Sequence, residues 1–483
     1  PYESIIIAAY NVEPFIGDCL ASVCAQTYQD FEAIVVNDGS TDGTAGIIAE
    51  AAQHDPRIIP ITQDNRGRHL ARKTGVAQAT GTYTFFLDGD DDLTPQMCEE
   101  LIHEMESHPV DILHYGITVI PENGILPAEC EAFASFNNTP IPPLKNSDII
   151  RKIALESQGY QVDWRVTQRM YRTSLLQQAF DDMSTAALDR TEDGYECFVI
   201  SALASSYRSC KKLRGYRYHY GRGITGTSTI SAETYIQFCR QFKECYEATE
   251  KFSASHPELH LHQCVEGFEH KATELLANDG KPRVPAQDQP HAATQMSAIL
   301  GPTITAQELW RHIRDAAWDY LVSDLKDDEA LDHIASWQAI AKTIIPSEET
   351  PRFRSVEYRA LELIREIEHA QERLSYADQP IRIFVTTHKN VDKPKSRILQ
   401  PVQVGFKPGS YRFPWALHDD EGENISVKNP MYCELTTQYW AWKNIDAEYY
   451  GFCHYRRYFD FSDTEHKENP YGEIMDDYID EEA

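Results

Sequence analysis

No apolar run in the 483-residue sequence approaches the length that crosses a bilayer, and no repeat of fixed period is present. No signal peptide is visible, and Pro1 in place of Met leads us to expect that the natural chain starts earlier. Basic residues are scarce, because 45 Lys and Arg stand against 75 Asp and Glu, for a net charge of −30. Phosphate backbones select for Lys and Arg, so this balance argues against a nucleic-acid partner. An anionic substrate must therefore be received locally, by a metal ion or a few basic side chains.

The sequence also lacks a CxxC pair, and its eleven cysteines have no regular spacing. An odd number of scattered cysteines predicts free thiols in a reducing cytosol rather than a disulfide framework. The length exceeds that of one typical core and predicts two or three domains. With 42% apolar and 25% charged residues, the composition is typical of a soluble globular protein.

The most informative stretch is residues 82–92, TYTFFLDGDDD. Its β-branched and aromatic first half predicts a buried strand, which ends in carboxylates at Asp88, Asp90, Asp91 and Asp92. Each carboxylate raises the free-energy cost of ionising the next, and either full exposure or a divalent cation offsets that cost. Ligands bind at the carboxyl ends of strands in α/β sheets, which favours Mn²⁺ or Mg²⁺. An acidic loop that only caps the strand is the alternative.

Earlier apolar runs alternate with helical patterns. The predicted strands lie at 4–8, 31–36 and 58–61, and the predicted helices cover 13–27, the residues after Gly43, and 70–79. This alternation predicts a parallel sheet with right-handed crossovers. The carboxyl ends of the strands then bring Tyr10, Asn11, Asp38 and the acidic segment 88–92 to one edge, which indicates a site.

Four motifs, IIIAAYN, FEAIVVNDGSTDGT, QDNRGRHLARKTG and YTFFLDGDDD, resemble the family 2 glycosyltransferases in order and separation. The resemblance implies a GT-A fold and inverting transfer of a sugar from a nucleotide donor. It implies Mn²⁺ or Mg²⁺ bound by Asp90 and His219. The nucleotide-sugar site that it implies comprises Ala9, Tyr10, Asn11, Glu13, Asp38, Asn65, Gly67, Arg72, Asp88 and Gly89.

Two of these residues have ordinary alternatives: Arg72 as a solvated helix residue, and Asp38 as a turn former. The chain also departs from the family pattern. Ala8 stands where Pro is usual, and Gly89 where Ser or Ala is usual. Asp92 replaces a common aromatic and Lys73 a frequent Asn, which leaves the acceptor side and the phosphate contacts open.

The next segment should build the acceptor half, with a predicted strand over 112–120 and a long Pro- and Asn-rich loop at 121–145. Trp164, Tyr171 and Asp91 are candidate acceptor residues, although the two aromatic residues also suit a core. Glu192 and Asp193 open a predicted helix, where carboxylates commonly cap or complement the dipole. By resemblance this pair supplies the general base, so Asp193 is the candidate and Glu192 orients it or replaces it.

Residues 211–223, KKLRGYRYHYGRG, form a basic and aromatic stretch whose family counterpart closes over the donor. There His219 or Arg222 can face the diphosphate or the metal, and a strand edge with its charges in water is the alternative. An anionic or lipid-linked acceptor could also use this stretch.

Residues 231–375 have helical patterns, with a predicted loop at 277–303. His256, His260, His262 and Cys264 lie close in sequence, but their spacing fits no standard zinc site. We therefore predict a helical spacer without chemistry.

From Ile381 the sequence resembles the start of a capsular-polysaccharide-associated domain of formerly unknown function, linked in some members to galactosyl or galactofuranosyl transfer. We expect this domain to be incomplete. A helix that buries Leu435, Tyr439 and Trp442 is the structural alternative for part of it. The functional positions that the resemblance implies are Asn424, Asn429, Glu434, Trp440, His454, Arg456 and Arg457.

The sequence thus predicts an α/β GT-A domain with a Rossmann-like mixed sheet at 1–230, divided into a nucleotide-binding half (1–110) and an acceptor half (111–230). A helical spacer at 231–378 and a partial second α/β domain at 379–483 follow. The predicted activity is metal-dependent transfer of a hexose from a UDP-sugar to a saccharide or lipid-linked acceptor, with inversion. The predicted setting is bacterial capsule or surface polysaccharide synthesis in the cytoplasm, with room for peripheral contact at the inner face of the membrane.

Two other functions stay open. A non-catalytic nucleotide-sugar-binding scaffold would keep the fold without turnover. A sugar nucleotidyltransferase would need a Gly-rich basic phosphate loop after the first strand, and residues 8–13 have no such loop.

Overall fold

The computed structural model describes residues 1–155, 163–188, 190–222, 229–323, 325–390, 396–407 and 411–455. The chain divides into two compact units, Pro1–Leu300 and Gly301–Ala483. The predicted fold class is confirmed, because a large mixed sheet, a helical middle region and a further sheet are all present.

The first unit contains two sheets. Its described strands are β1 (Glu3–Ala9), β2 (Phe31–Asp38), β3 (Ile58–Gln63), β4 (Tyr83–Asp88), β5 (Asp92–Leu93), β6 (Ile112–Tyr115), β7 (Ile117–Pro121), β8 (Leu144–Lys145), β9 (Arg169–Arg172), β10 (Ser206–Cys210) and β11 (Tyr216–Tyr220). The main sheet has the order β3-β2-β1-β4-β9-β6-β10-β8, and the small sheet has the order β5-β11-β7. Strands β1 to β4 pair in parallel as predicted, whereas β9 pairs antiparallel with β4 and β6.

Helices pack on this sheet and continue beyond it. They are α1 (Glu13–Cys24), α2 (Thr44–His54), α3 (Arg68–Gln78), α4 (Met97–Ser107), α5 (Pro127–Asn137), α6 (Ser147–Ala154), α7 (Thr173–Asp182), α8 (Glu192–Leu203), α9 (Ala232–Ser255), α10 (His262–Arg283) and α11 (Gln289–Leu300). Apolar side chains of β1, β2 and β4 form the centre of the core, including Ile5, Ile7, Val35, Phe85 and Leu87.

The second unit begins with three helices, α12 (Pro302–Val322), α13 (Asp328–Ala341) and α14 (Pro351–Arg373). A four-stranded parallel sheet follows, in the order β14-β13-β12-β15. Its elements are β12 (Ile381–Thr387), β13 (Leu399–Gln403), β14 (Leu417–His418), α15 (Asn429–Tyr432), α16 (Leu435–Asn444) and β15 (Tyr449–His454). None of the described helices is both long and apolar enough to span a membrane.

Some predicted elements were wrong. A single strand over 112–120 was expected, but the chain breaks at Gly116, where a Cβ would lie 2.5 Å from the Lys211 carbonyl oxygen. The two resulting strands, β6 and β7, belong to different sheets. The predicted loops at 121–145 and 277–303 contain α5 and α11, because buried residues such as Cys130 and Met296 pack these helices on the unit.

The predicted spacer is helical as expected, but its helices divide between the two units, with α11 in the first and α12 in the second. The alternative of a helix α16 that buries Leu435, Tyr439 and Trp442 was also wrong, and Tyr439 is only partly buried. Leu435 and Trp442 are exposed, whereas Trp440 and Ala441 are buried.

Candidate functional site

Three strand ends meet at the carboxyl edge of the main sheet. In the parallel register, Ala8 of β1 lies beside Asp88 of β4, and Ala9 lies beside Asn37 of β2. The edge predicted from the sequence therefore exists, with Asp38 and Asp88 as the final residues of β2 and β4, the two strands that flank β1. Gly89 follows β4 where space is short, because a Cβ there would lie 3.3 Å from Val12 and 3.4 Å from Ile16.

A carboxylate cluster lies at the end of β4. One oxygen from each of Asp88, Asp90 and Asp91 lies within 4.8 Å of the others. Burial, together with the charge of Asp88, raises the pKa of Asp90, and it raises that of Asp91 further. Both shifts arise because negative charge is concentrated where water is excluded. A hard divalent cation prefers such all-oxygen donors, so these residues fit Mn²⁺ or Mg²⁺.

Asp91 has a supporting position within this cluster. Its carboxylate accepts hydrogen bonds from the Tyr216 hydroxyl and the His219 backbone N–H, both at 2.8 Å. The residue is only 3% exposed. Its oxygens therefore connect β11 to the acidic segment, and contact of Asp91 with the acceptor stays a prediction.

The His219 ring contacts two carboxylates outside the Asp88–Asp90–Asp91 cluster. Its Nε2 lies 2.7 Å from Asp92 and its Nδ1 lies 2.8 Å from Glu122. With a carboxylate at each ring nitrogen, His219 lies outside the group of three carboxylates, and its role as a metal ligand stays a prediction. Arg222 binds the same Glu122 at 2.7 Å and donates to the Asp90 carbonyl oxygen at 2.8 Å.

Arg72 of α3 is the central cation of the site. Its guanidinium is almost fully buried and contacts three carboxylates: Asp88 at 3.4 Å, Glu196 at 2.9 Å, and Asp193 through the same nitrogen that contacts Glu196. The alternative of a solvated helix residue was wrong. The same guanidinium thus connects the end of β4 to the start of α8.

The two acidic residues that open α8 have opposite electrostatics. Burial raises the pKa of Glu192 to about 8, even though Arg68 lies 3.2 Å away. Burial also acts on Asp193, but the charges of Arg72 and Arg68 outweigh it and lower the pKa of this carboxyl. Asp193 keeps about a quarter of its side chain exposed. At neutral pH, Asp193 is therefore the ionised member of the pair.

Glu196 is a site residue that the sequence reasoning missed. It is fully buried, and its second oxygen lies 2.8 Å from His69 Nδ1. The sequence spacing could have indicated this residue. Glu192 and Glu196 are four residues apart on α8, and His69 and Arg72 are three residues apart on α3. Each pair places its members on one helix face.

The loops at the edge brace one another. Asn11, in the left-handed region with φ 50°, accepts a hydrogen bond from the Thr41 N–H at 2.8 Å. Glu13 accepts from the Gly43 N–H, also at 2.8 Å. Tyr10 is 48% exposed and is open for stacking. Asn11 and Glu13 therefore shape the loop, and Tyr10 offers its ring to a ligand.

Asp38 holds the loop between β3 and α3. Its carboxylate accepts hydrogen bonds from the backbone N–H groups of Arg66 and Gly67 and from the Gln63 side chain, at 2.7 to 3.2 Å. Asp38 is 3% exposed, so it supports the wall of the site from behind. Asn65, which lies in this loop, is exposed.

The sequence analysis also singled out Tyr171 and Lys73, which lie near the site. Tyr171 is 1% exposed and donates its hydroxyl to the Val166 carbonyl, so it is a core residue rather than a stacking platform. Lys73 donates to the carbonyls of Phe180 and Met183 and faces away from the carboxylate cluster.

Trp164 is partly exposed. Its ring lies 5.6 Å from that of Phe268, and the Lys271 ammonium lies 4.8 Å from its centroid. These contacts fix the ring beside α8, where a Cβ on Gly194 would touch it at 2.9 Å.

In the second unit, the residues named by resemblance have local structural contacts. Asn424 donates to the Asp420 carbonyl at 2.9 Å, and Asn429 donates to Cys433 at 3.0 Å. Trp440 packs in the core against Phe384.

His454 lies 3.8 Å from Glu434, so two of the residues named by resemblance are neighbours. Arg456 and Arg457 lie outside the described residues.

Two family profiles match the sequence. Residues 4–171 match Glycosyl transferase family 2, and residues 382–481 match a domain of unknown function, DUF4422. The N-terminal part of the chain therefore carries a family 2 glycosyltransferase domain, as the motifs predicted.

Named relatives agree with this domain. The chain is similar to the uncharacterized glycosyltransferase EpsJ of Bacillus subtilis, with 35% identity over 185 residues, which is 37% of this chain and 50% of that protein. It is also similar to glycosyltransferase GlyA of Streptococcus pneumoniae, with 39% identity over 23% of this chain and 16% of that protein. The matches thus span half or less of these relatives.

Among solved structures, the chain is similar to S. aureus TarS 1-349 in complex with UDP-GlcNAc. That comparison has a TM-score of 0.45 and 19% identity, and it covers 71% of this chain and 91% of the TarS chain.

Proposed function

We propose that this chain transfers a hexose from a UDP-sugar to a saccharide or lipid-linked acceptor, with inversion at the anomeric carbon. The observation that carries the proposal is the contact of one guanidinium, that of Arg72, with both Asp88 and Asp193. Asp88 belongs to the carboxylate cluster at the strand end, and Asp193 is the candidate base at the start of α8. A family 2 domain with these two groups joined has the parts that displacement at a sugar carbon requires.

Asp88 and Asp90 would hold Mn²⁺ or Mg²⁺, since Asp91 is already held by two donors. Such an ion, when bound, neutralises the negative charge that develops on a departing diphosphate. The raised pKa of Asp90 reflects an excess of negative charge that a cation would relieve.

Asp193 takes the proton from the acceptor hydroxyl as that oxygen attacks the anomeric carbon. Its lowered pKa keeps it ionised at neutral pH, and its partly exposed side chain is accessible to an acceptor. Glu192, with a pKa of about 8, is mostly protonated at pH 7, so Asp193 is the carboxyl of the pair that is ionised there. Arg72 orients Asp193, and Glu196 orients Arg72.

The second unit carries the DUF4422 match, and we propose that it belongs to a second transferase domain of galactosyl or galactofuranosyl type. Two consecutive linkages made by one chain would suit a bacterial capsule or surface polysaccharide made in the cytoplasm, at or near the inner face of the membrane.

The donor assignment is tested with a panel of UDP-, GDP- and CMP-sugars in the presence of Mn²⁺, Mg²⁺ or a chelator, scored for binding and hydrolysis. We expect UDP-sugars to bind and turn over only with a divalent cation, and Asp90→Asn to weaken the response to Mn²⁺. Binding of GDP- or CMP-sugars without UDP-sugars would contradict the assignment.

The catalytic assignment is tested with Asp193→Asn, compared with Asp18→Asn on the exposed face of α1. We expect turnover to fall by about 10²-fold or more in the first variant, because a positioned base contributes about that much. UDP binding should stay the same in both. Unchanged turnover in Asp193→Asn would favour a non-catalytic nucleotide-sugar-binding scaffold, whereas release of pyrophosphate from a sugar phosphate and UTP would favour a nucleotidyltransferase.

A further inference from the structure

A second concave site lies in the other unit, between α12 and α14. Its cavity has a volume of about 410 Å³. The lining residues are Arg314, Asp315, Trp318, Asp319, Arg359 and Leu363. The α12 residues follow helical spacing, and so do Arg359 and Leu363 on α14, so each helix directs one face at the cavity.

Two of the six lining residues are apolar, Trp318 and Leu363. Leu363 is buried, and Trp318 is 41% exposed, so its ring is accessible from solvent. The ring of Tyr411 lies nearly parallel to Trp318, with centroids 6.0 Å apart and an interplanar angle of 16°. The Tyr411 hydroxyl donates to Glu366 at 2.9 Å, which fixes that ring in place. Tyr411 therefore supports one face of the Trp318 ring, and the exposed part of that ring is accessible to a ligand.

The polar groups around the ring are planar and balanced in charge. Arg314 donates two hydrogen bonds to Asp315, at 2.9 and 2.7 Å, and Arg359 lies 3.2 Å from Glu362. Among the described residues, the Asp319 carboxylate has no hydrogen-bond or ion-pair partner. The two arginines and two aspartates of the lining cancel in charge.

This chemistry selects a neutral polyol over an anion. A phosphate would meet arginines already paired with carboxylates, and it would have to displace them at an electrostatic cost. A sugar ring instead places C–H groups on an aromatic face and paired hydroxyls on carboxylate and guanidinium edges. The volume lies in the range of small-molecule sites and accommodates one or two sugar rings.

We infer that the cavity between α12 and α14 is a binding site for a neutral oligosaccharide, with Trp318 as its stacking platform. The site lies in the second unit and requires neither the carboxylate cluster nor Asp193. It would hold a glycan chain independently of the sugar transfer proposed for the first unit.

The test titrates the full chain with neutral hexose and N-acetylhexosamine oligosaccharides of two to four units, without a sugar nucleotide, by calorimetry. We expect saturable binding that Trp318→Ala weakens by about tenfold or more and Trp318→Phe weakens less, because stacking is lost or only reduced. Trp442→Ala, which removes another exposed indole of the same unit, should bind like the parent chain. Inorganic phosphate should not compete.

Trp318→Ala also separates this site from the transferase site. It should leave UDP-sugar binding and hydrolysis unchanged, so failure of the transferase proposal would not affect the result. The inference is overturned if no neutral oligosaccharide binds, if Trp318→Ala binds as well as the parent chain, if Trp442→Ala abolishes binding, or if phosphate displaces the sugar.

Discussion

One buried guanidinium organises the residues of the first site. Arg72 contacts Asp88, Asp193 and Glu196, and Glu196 in turn contacts His69. Removing one partner from such a buried set leaves charge uncompensated, which costs more than the loss of an exposed ion pair. The position of Asp193 therefore depends on residues that need not touch substrate.

We expect Glu196→Gln to lower the free energy of unfolding by about 2 kcal/mol, because a buried charged contact to Arg72 becomes a neutral one. Urea denaturation measures the change. The exposed Glu50→Gln on α2 is the matched control and should change stability by less than about 0.5 kcal/mol. Equal stability of the two variants would show that Glu196 carries no charge interaction.

Glu3, the first residue of β1, gives a pH-dependent prediction. Burial raises its pKa from 4.5 to about 8. The folded chain therefore holds the proton more tightly than the unfolded chain, and stability falls as the pH rises from about 4.5 to about 8. Glu3→Gln removes this proton, so its stability relative to the parent chain should rise by about 3 kcal/mol between pH 5 and pH 8.

Denaturation at several pH values measures that rise, and Glu50→Gln again serves as the exposed control. A constant offset between Glu3→Gln and the parent chain across this range would contradict the raised pKa of Glu3.

At the scale of elements, the loop between β3 and α3 depends on one backbone conformation. Gly67 has φ 86° and ψ 160°, which is essentially accessible only to glycine, and a Cβ there would lie 3.2 Å from the Leu188 carbonyl oxygen. Its N–H donates to Asp38 at 2.9 Å. The start of α3, and with it Arg72, is thereby fixed against the end of β2.

We expect Gly67→Ala to lower the free energy of unfolding by about 2 kcal/mol and to weaken UDP binding several-fold, since the strained loop would release Asp38. Gly46→Ala in α2 is the control, because its Cβ would meet no atom within 4 Å. That variant should gain about 0.5–1 kcal/mol from helix propensity. Thermal unfolding and calorimetric titration with UDP measure both, and a stable Gly67→Ala would contradict the strain argument.

Sequence reasoning predicted strands β1 to β4 and their acidic edge well, because continuous apolar runs that end in polar residues specify buried parallel strands. It could not predict how individual side chains pair. Glu122, the partner of His219, is 97 residues away and lies at the border of a stretch predicted as loop. The contacts of Asp38 could not be predicted either, because its carboxylate accepts hydrogen bonds from backbone N–H groups, which no residue pattern reveals.

At the scale of the whole molecule, the two units meet in sequence at a distinct junction. Helix α11 ends at Leu300, Gly301 adopts φ 98°, and Pro302 starts α12. A glycine with positive φ ends the first helix, and the proline after it is suited to the first position of the next helix. The two helices therefore do not continue into each other. The junction is therefore a natural place to divide the chain.

We expect a fragment of residues 1–300 to unfold in one cooperative transition, with a Tm within about 5 °C of the first-unit transition of the full chain, because each unit has its own core. The fragment should bind UDP as the full chain does. Scanning calorimetry and titration measure these properties. A fragment that lacks a transition would show that the first unit needs the second.

The shared guanidinium also constrains how this protein can diversify. A substitution that alters charge at Asp88 changes the electrostatic surroundings of Asp193, since both carboxylates depend on Arg72. Selection for a new donor at one end of the site would therefore alter basicity at the other end. Evolved variants with new donor preference should carry compensating changes on α3 or α8.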